Sequence, residues 1–326
     1  MSDIVRAFGR GLILVQLFWT VLGAQTIPGA TSAVDTTRPR IIFISDTQAP
    51  IIFERIALHA DRNTEATRQL FQNILKVRPA SVFILGDLVS IGMYGHAWED
   101  IDRHIDLVRG AGIPVHAILG NHEVMFFPSY GERNFQARFP AHNRLGYVRT
   151  TDSVAVVLLN SNFGTLSAEE QEKQTRWYQD TLRALDDNAA IRAVIVCCHH
   201  SPYSNSKIVG SSEPVQRTFV PAYLTSRKAG LFLSGHAHTF EHFKRAKDFL
   251  VIGGGGGLQQ PLYTGIEQRW PDISPIDKGT MFSYLLVQRS GDTLTATVTG
   301  LREDFGSVFP RHIVRVVPAA ATTIGP

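Results

Sequence analysis

The chain has 326 residues, 44% of them hydrophobic, a formal net charge of +3 and no low-complexity tract. That size buries one substantial core and fits a single α/β domain. A charge so small gives no case for a nucleic acid or an anionic membrane as partner. Only two cysteines occur, the adjacent Cys197 and Cys198. Their spacing suits neither a disulfide framework nor a zinc site, so both are expected to pack as small buried apolar residues.

Arg6 and Arg10 precede an apolar run, Gly11 to Ala24, and small residues follow at Gly29, Ala30 and Ala33. This is the pattern of a secretory signal peptide, too short to favour a spanning helix. Residues 1–30 are expected to direct export, to the periplasm or outside the cell, and to be removed. The alternative is an uncleaved N-terminal anchor; after cleavage no membrane insertion is expected. A linker over 31–40 then leads into one domain over 41–317, and 318–326 is expected to be a flexible tail.

Ile41 to Ser45 reads as a buried strand running into Asp46-Thr47-Gln48. Thr64 to Lys76 carries Leu70, Phe71, Ile74 and Leu75 at helical spacing and stops before Pro79. The run from Val82 ends at Gly86-Asp87. A helix through Trp98, Ile101, Ile105 and Val108 follows, then a strand from Pro114 to Leu119 that ends in Gly120-Asn121-His122-Glu123. His96 and His104 lie on or near that helix and are expected at the surface or in support. Residues 124–150 lack clear periodicity and are expected to form a long loop beside this turn. Ser153 to Asn160 is a strand, and Ser167-Ala168-Glu169-Glu170 is a capping box that opens the next helix.

Ile191 to Cys198 runs into His199-His200-Ser201-Pro202. A helix is expected over 214–225, and a short strand, Leu231 to Leu233, ends in Gly235-His236-Ala237-His238. Phe249 to Ile252 leads into the glycines 253–257, which lack the following Lys-Ser/Thr of a phosphate-binding loop. Phe282 to Gln288 and Leu294 to Thr299 are expected to pair antiparallel around Ser290-Gly291.

Five strands thus end in metal-capable turns: Asp46, Asp87, Asn121-His122, His199-His200, and His236/His238. In open α/β sheets the carboxyl ends of strands are where ligands bind. Oxygen and imidazole donors without a cysteine suit Mn, Fe or Zn, and the number of donors exceeds the needs of one tetrahedral ion.

In these motifs the chain resembles the calcineurin-like metallophosphoesterases, which include the purple acid phosphatases. Their pattern of D-x-H, G-D, G-N-H-D/E, a histidine after a strand and G-H-x-H stands here as Asp46-Thr47-Gln48, Gly86-Asp87, Gly120-Asn121-His122-Glu123, His200 and Gly235-His236-Ala237-His238. The resemblance implies a four-layer αββα sandwich, two mixed β-sheets flanked by helices. It implies two divalent or trivalent metal ions, Mn, Fe or Zn, at the strand ends. Position by position, Asp87 would bridge the metals, Asp46 and His238 would hold the first, and Asn121, His200 and His236 the second. His122 would contact the phosphate and protonate the leaving oxygen. His200 fits the H-S-P context, which leaves His199 facing the site without binding metal, although the two could exchange roles.

Two departures matter. Gln48 stands where the family has a ligating histidine; either its amide oxygen coordinates, favouring Mn or Fe, or it points away and water completes the shell. Ser90 stands where purple acid phosphatases have a tyrosine, so a tyrosinate-bound ferric ion is not expected. The activity implied is hydrolysis of a small phosphorylated substrate by a metal-bound hydroxide, monoesters ahead of diesters or nucleotides. The alternative from another class is a catalytically weakened protein that binds metal and phosphate.

Overall fold

The computed structural model describes residues 37–51, 62–256, 259–274 and 282–318. The expected signal segment, most of the linker and nearly all of the tail lie outside them. Among the described residues no helix is long and apolar enough to cross a membrane.

Strands are numbered along the chain. In the first sheet β1 (Ile41–Ile44), β2 (Ser81–Ile84) and β3 (Val115–Ala117) run parallel. β10 (Ser283–Ser290), β11 (Thr293–Leu301) and β12 (Val308–Val316) extend it antiparallel beyond β1, in the order β12-β11-β10-β1-β2-β3. The second sheet has the order β4-β5-β6-β7-β9-β8, from β4 (Tyr147–Thr151), β5 (Val154–Leu158), β6 (Ala193–Cys197), β7 (Ala229–Ser234), β8 (Glu241–Arg245) and β9 (Lys247–Val251). In it β5, β6, β7 and β9 are parallel neighbours.

The central strands are apolar on both faces because both faces are covered. Alternate residues point opposite ways. Phe43, Phe83 and Leu85 therefore meet Ile195, Cys197, Leu231 and Leu233 between the sheets. Their neighbours Ile42, Ile44, Val82 and Ile84 face outward onto α1 (Asn63–Val77) and α2 (Glu99–Gly110), through Leu70, Phe71, Ile101 and Ile105.

Residues 124–150 are not a loop. They follow the one-turn α3 (Asn121–Val124) with α4 (Pro128–Arg138) and β4. Only Gly131 and Phe135 of α4 are buried, so its sequence carries no apolar stripe to read. Gly131 is required there, since a Cβ would lie 1.7 Å from the Glu123 carbonyl oxygen.

On the outer face of the second sheet, α5 (Ala168–Asp187) starts at the expected capping box and packs Tyr178 and Leu182 against Val194 and Val196. The helix expected over 214–225 is two, α6 (Glu213–Thr218) and α7 (Val220–Thr225). Pro221 lies in the first turn of α7, where its missing N–H costs nothing, and it cannot sit inside a continuous helix. β8 and β12 have no counterpart in the sequence reading. β12 is an edge strand with Pro310 at a register shift, and few of its residues are buried. The result is four layers, αββα. Both cysteines are buried and free, Cys197 between the sheets and Cys198 against the outer helices.

The carboxyl ends of both parallel groups meet at one edge. Ser45 N–H donates to Gly253 O at 3.3 Å, and Gly256 N–H donates to Asp46 O at 2.7 Å.

Candidate metal centre

Asp46 and Asp87 leave β1 and β2 with φ of +53°, while His236 and His238 beyond β7 stand at +70° and +47°. All four are in the left-handed region, which costs a side-chain-bearing residue about 1–2 kcal/mol. The turn aims each side chain back across the strand ends. Surrounding main chain holds the conformation: Asp46 N–H donates to Gly86 O (3.0 Å), and the N–H groups of Thr47 and Gln48 donate to Asp87 O (2.8 and 3.1 Å). A Cβ on Gly120 would lie 2.2 Å from Asp87 Oδ1, so the glycine is what lets the second turn close on the first.

Two groups of donors result. Asp87, His199 and His236 form one and Asp46, Asp87 and His238 the other, with the candidate atoms of each within 4.8 Å of one another. Asp87 belongs to both. Asn121 Oδ1 lies 3.0 Å from His199 Nε2. Gln48 is buried, its amide nitrogen 3.4 Å from His238 Nε2. Asp87 Oδ2 is buried 3.2 Å from His199 Nε2, and Gln48 Oε1 is buried with no hydrogen-bond partner. A buried oxygen in that state costs about 1–3 kcal/mol unless something takes its lone pairs. Asp87 Oδ2 beside the imidazole nitrogen of His199 forms, with His236, a set that fits a hard or borderline cation.

The geometry favours His199 over His200 as the imidazole of this set, against the expectation from the H-S-P context. Strand parity is the reason. Cys197 faces the inter-sheet core and Cys198 the helices. His199 then turns inward to the carboxylates, with Nε2 3.2 Å from Asp87 Oδ2. Its Nδ1 bonds Leu85 O at 2.8 Å, and a carbonyl only accepts, so Nδ1 carries the proton. That fixes the tautomer whose Nε2 can bind metal, the pattern usual for ligating histidines. His200 belongs to neither donor group. Its Nδ1 bonds Ser161 Oγ at 2.8 Å, and its ring lies 4.6 Å from that of His236. Ser161 had no signal in the sequence beyond standing at the end of an apolar strand.

His122 sits at the mouth of the centre, its Nε2 3.9 Å from Asp87 Oδ2. Its N–H donates to Asp87 Oδ1 at 2.8 Å, and its Nδ1 donates to Ser90 O at 2.7 Å. With Nδ1 committed to a carbonyl, Nε2 is the ring atom left to carry a proton to or from a substrate. Ser90, at the position of the missing tyrosine, contributes this carbonyl.

Burial opposes charge on Asp87, yet the imidazoles of His199 and His122 prevail and hold its carboxyl well below the usual range. Burial likewise works against protonation of His199, but Asp87 and Asp46 lift it to about 9. Asp46 is raised, chiefly by burial, with His238 opposing. His200 is pushed down to about 3 and His236 well below its usual value, by burial and then by neighbouring imidazoles. Of the donor imidazoles, His236 is thus held neutral, the form that ligates metal, whereas His199, between Asp87 and Asp46, must lose a proton before its Nε2 can bind a cation.

Fold and site together define a metallophosphoesterase scaffold. Residues 39–240 match the calcineurin-like phosphoesterase family, and the chain belongs to it. It is 26% identical over 206 residues to purple acid phosphatase 21 of Arabidopsis thaliana, a match covering 57% of this chain and 46% of that protein. The solved purple acid phosphatase PPD1 from yellow lupin (Lupinus luteus) seeds superposes with a TM-score of 0.60 at 18% identity, over 83% of this chain and 52% of that one. GAP50, the anchor in the inner membrane complex of Plasmodium, gives a TM-score of 0.60 at 14% identity, over 85% and 89%. At these identities the two solved structures share the fold. The chain spans about half the length of the Arabidopsis relative.

Proposed function

We propose that this chain hydrolyses phosphate esters at a two-metal centre bridged by Asp87, with small monoesters as preferred substrates. The observation that carries this is the sharing of Asp87 by two donor groups, with its Oδ2 buried between them. Asp46, His238 and Gln48 would hold one cation, and Asn121, His199 and His236 the other. Bound there, two such ions would supply positive charge to the phosphoryl oxygens and lower the pKa of an attacking water.

The chain's own residues do the rest. His122, oriented by Ser90 O and tied to Asp87 through its N–H, delivers a proton from Nε2 to the departing oxygen. Leu85 O keeps the Nε2 lone pair of His199 directed into the centre. The burial of Asp46, Asp87 and Gln48 keeps bulk water from competing with the substrate for that charge. Export rests on the apolar run at Gly11–Ala24, and N-terminal sequencing of the mature protein tests it.

The test is turnover by protein stripped of metal and reloaded with Mn, Fe or Zn, on a panel of chromogenic monoesters, diesters and nucleotides. Metal-dependent release, fastest from monoesters, is expected. A preference for diesters or nucleotides would replace the substrate assignment. A second reading, a protein that binds metal and phosphate without turnover, draws on Gln48 in place of the histidine. Tight phosphate binding with no release from any ester would establish it.

A further inference from the structure

We propose that Glu123 is the positioning residue of the metal centre, a carboxylate that binds no metal but locks together the two turns presenting Asp87, Asn121 and His122. The inference rests on the metal-centre assignment above. Glu123 is fully buried, and four main-chain N–H groups donate to its carboxylate. Oε2 accepts from Asp87 at 2.9 Å and Gly120 at 2.7 Å; Oε1 accepts from Leu88 at 2.7 Å and Val89 at 3.3 Å.

Three of these donors lie in the turn after β2 and one in the turn after β3. The first turn needs holding, because Asp87 stands at φ +53°. Asp87 Oδ1 in turn accepts the His122 N–H at 2.8 Å, so a displacement of one turn reaches the other. The demand on residue 123 is specific. A glutamine keeps the length but has one acceptor oxygen, and it turns an NH2 group toward N–H donors. An aspartate keeps both oxygens and the charge but falls one methylene short.

The experiment is calorimetric titration of metal-stripped protein with Mn2+, well below the melting temperature of every variant, so that unfolding does not register as lost affinity. Glu123→Gln is expected to bind Mn2+ about 10–100-fold more weakly, the usual consequence of removing a group that orients ligands. Glu123→Asp, which retains the acceptors, is expected to fall between it and the wild type. Leu182→Ala, a core variant in α5, should lose stability and keep wild-type affinity, which separates positioning from general support of the fold. Wild-type affinity in folded Glu123→Gln or Glu123→Asp overturns the proposal. If Glu123→Gln does not fold, Glu123→Asp decides alone: weaker binding supports it and unchanged binding overturns it. A wild-type protein that takes up no Mn2+ would instead sink the metal-centre assignment, and this inference with it.

Discussion

The edge formed by β1, β2 and β3 and the edge formed by β6 and β7 bring different chemistry to the same place. The first sheet contributes oxygen, from Asp46, Asp87 and Asn121. The second contributes nitrogen, from His199, His236 and His238. Each edge also orients the donors of the other. Leu85 O of the first sheet sets the tautomer of His199, and the His236 N–H of the second donates to both carboxylate oxygens of Asp46, at 3.2 and 3.1 Å. Neither half is a site by itself. A cation held between them would brace sheet against sheet, so metal binding and the packing of the inter-sheet core should be coupled.

Removing the residue common to both halves should break this most completely. Asp87→Asn is expected to lower turnover about 10³-fold or more. In denaturant unfolding, wild-type protein should gain about 2.7 kcal/mol when Mn2+ is present at 100 times its Kd, and Asp87→Asn should gain nothing at that concentration. An equal gain in both would show that the sheets are not joined through this carboxylate.

Next in size is His122→Ala, which belongs to the oxygen edge but donates no metal ligand. Its kcat should fall roughly 10²–10⁴-fold with bound metal unchanged, and the loss should shrink for esters of good leaving groups. A loss independent of the leaving group would contradict proton delivery. The nitrogen edge is sharpened by comparing His199→Ala with His200→Ala. The first should weaken Mn2+ binding by at least about 10-fold, and the second should leave the stoichiometry intact. Elemental analysis of both variants distinguishes them.

The effect with no expected consequence for turnover lies outside both edges and isolates the scaffold from the metals. His142 is packed between Phe135 and Tyr147, and burial pushes it down to about 4. In the unfolded chain it titrates near 6.5, so between those values the unfolded state binds a proton that the folded state refuses. Stability of metal-free protein should therefore fall as pH drops through that window, by up to about 3 kcal/mol from this residue. His142→Phe should flatten the slope in melts at pH 4–7, and an unchanged slope would remove His142 as its source.

The central strands were legible because they are continuous apolar runs that end abruptly in Gly-Asp, Gly-Asn-His and Gly-His-Ala-His, and the four-layer sandwich followed from the family resemblance those turns carry. What escaped was local. α4 buries too little to leave a periodic signature, and β12 is an edge strand interrupted by Pro310. The choice between His199 and His200 turns on a single step of strand parity: the motif context points to His200, whereas the donor geometry groups His199 with Asp87 and His236. Following the alternation from Ile195 through Cys197 would have selected His199, since those two face the inter-sheet core. The clamp at Glu123 could not be read at all, because its partners are main-chain N–H groups that no side-chain pattern reveals.

One consequence follows from the two cysteines. Adjacent in sequence, they are committed to different apolar layers, and burial raises both thiols, so neither offers a thiolate for exchange or oxidation. The described fold therefore draws nothing from redox chemistry. Thermal melts with and without reductant should coincide, and the protein should mature equally well in an oxidising or a reducing compartment without help from a disulfide isomerase.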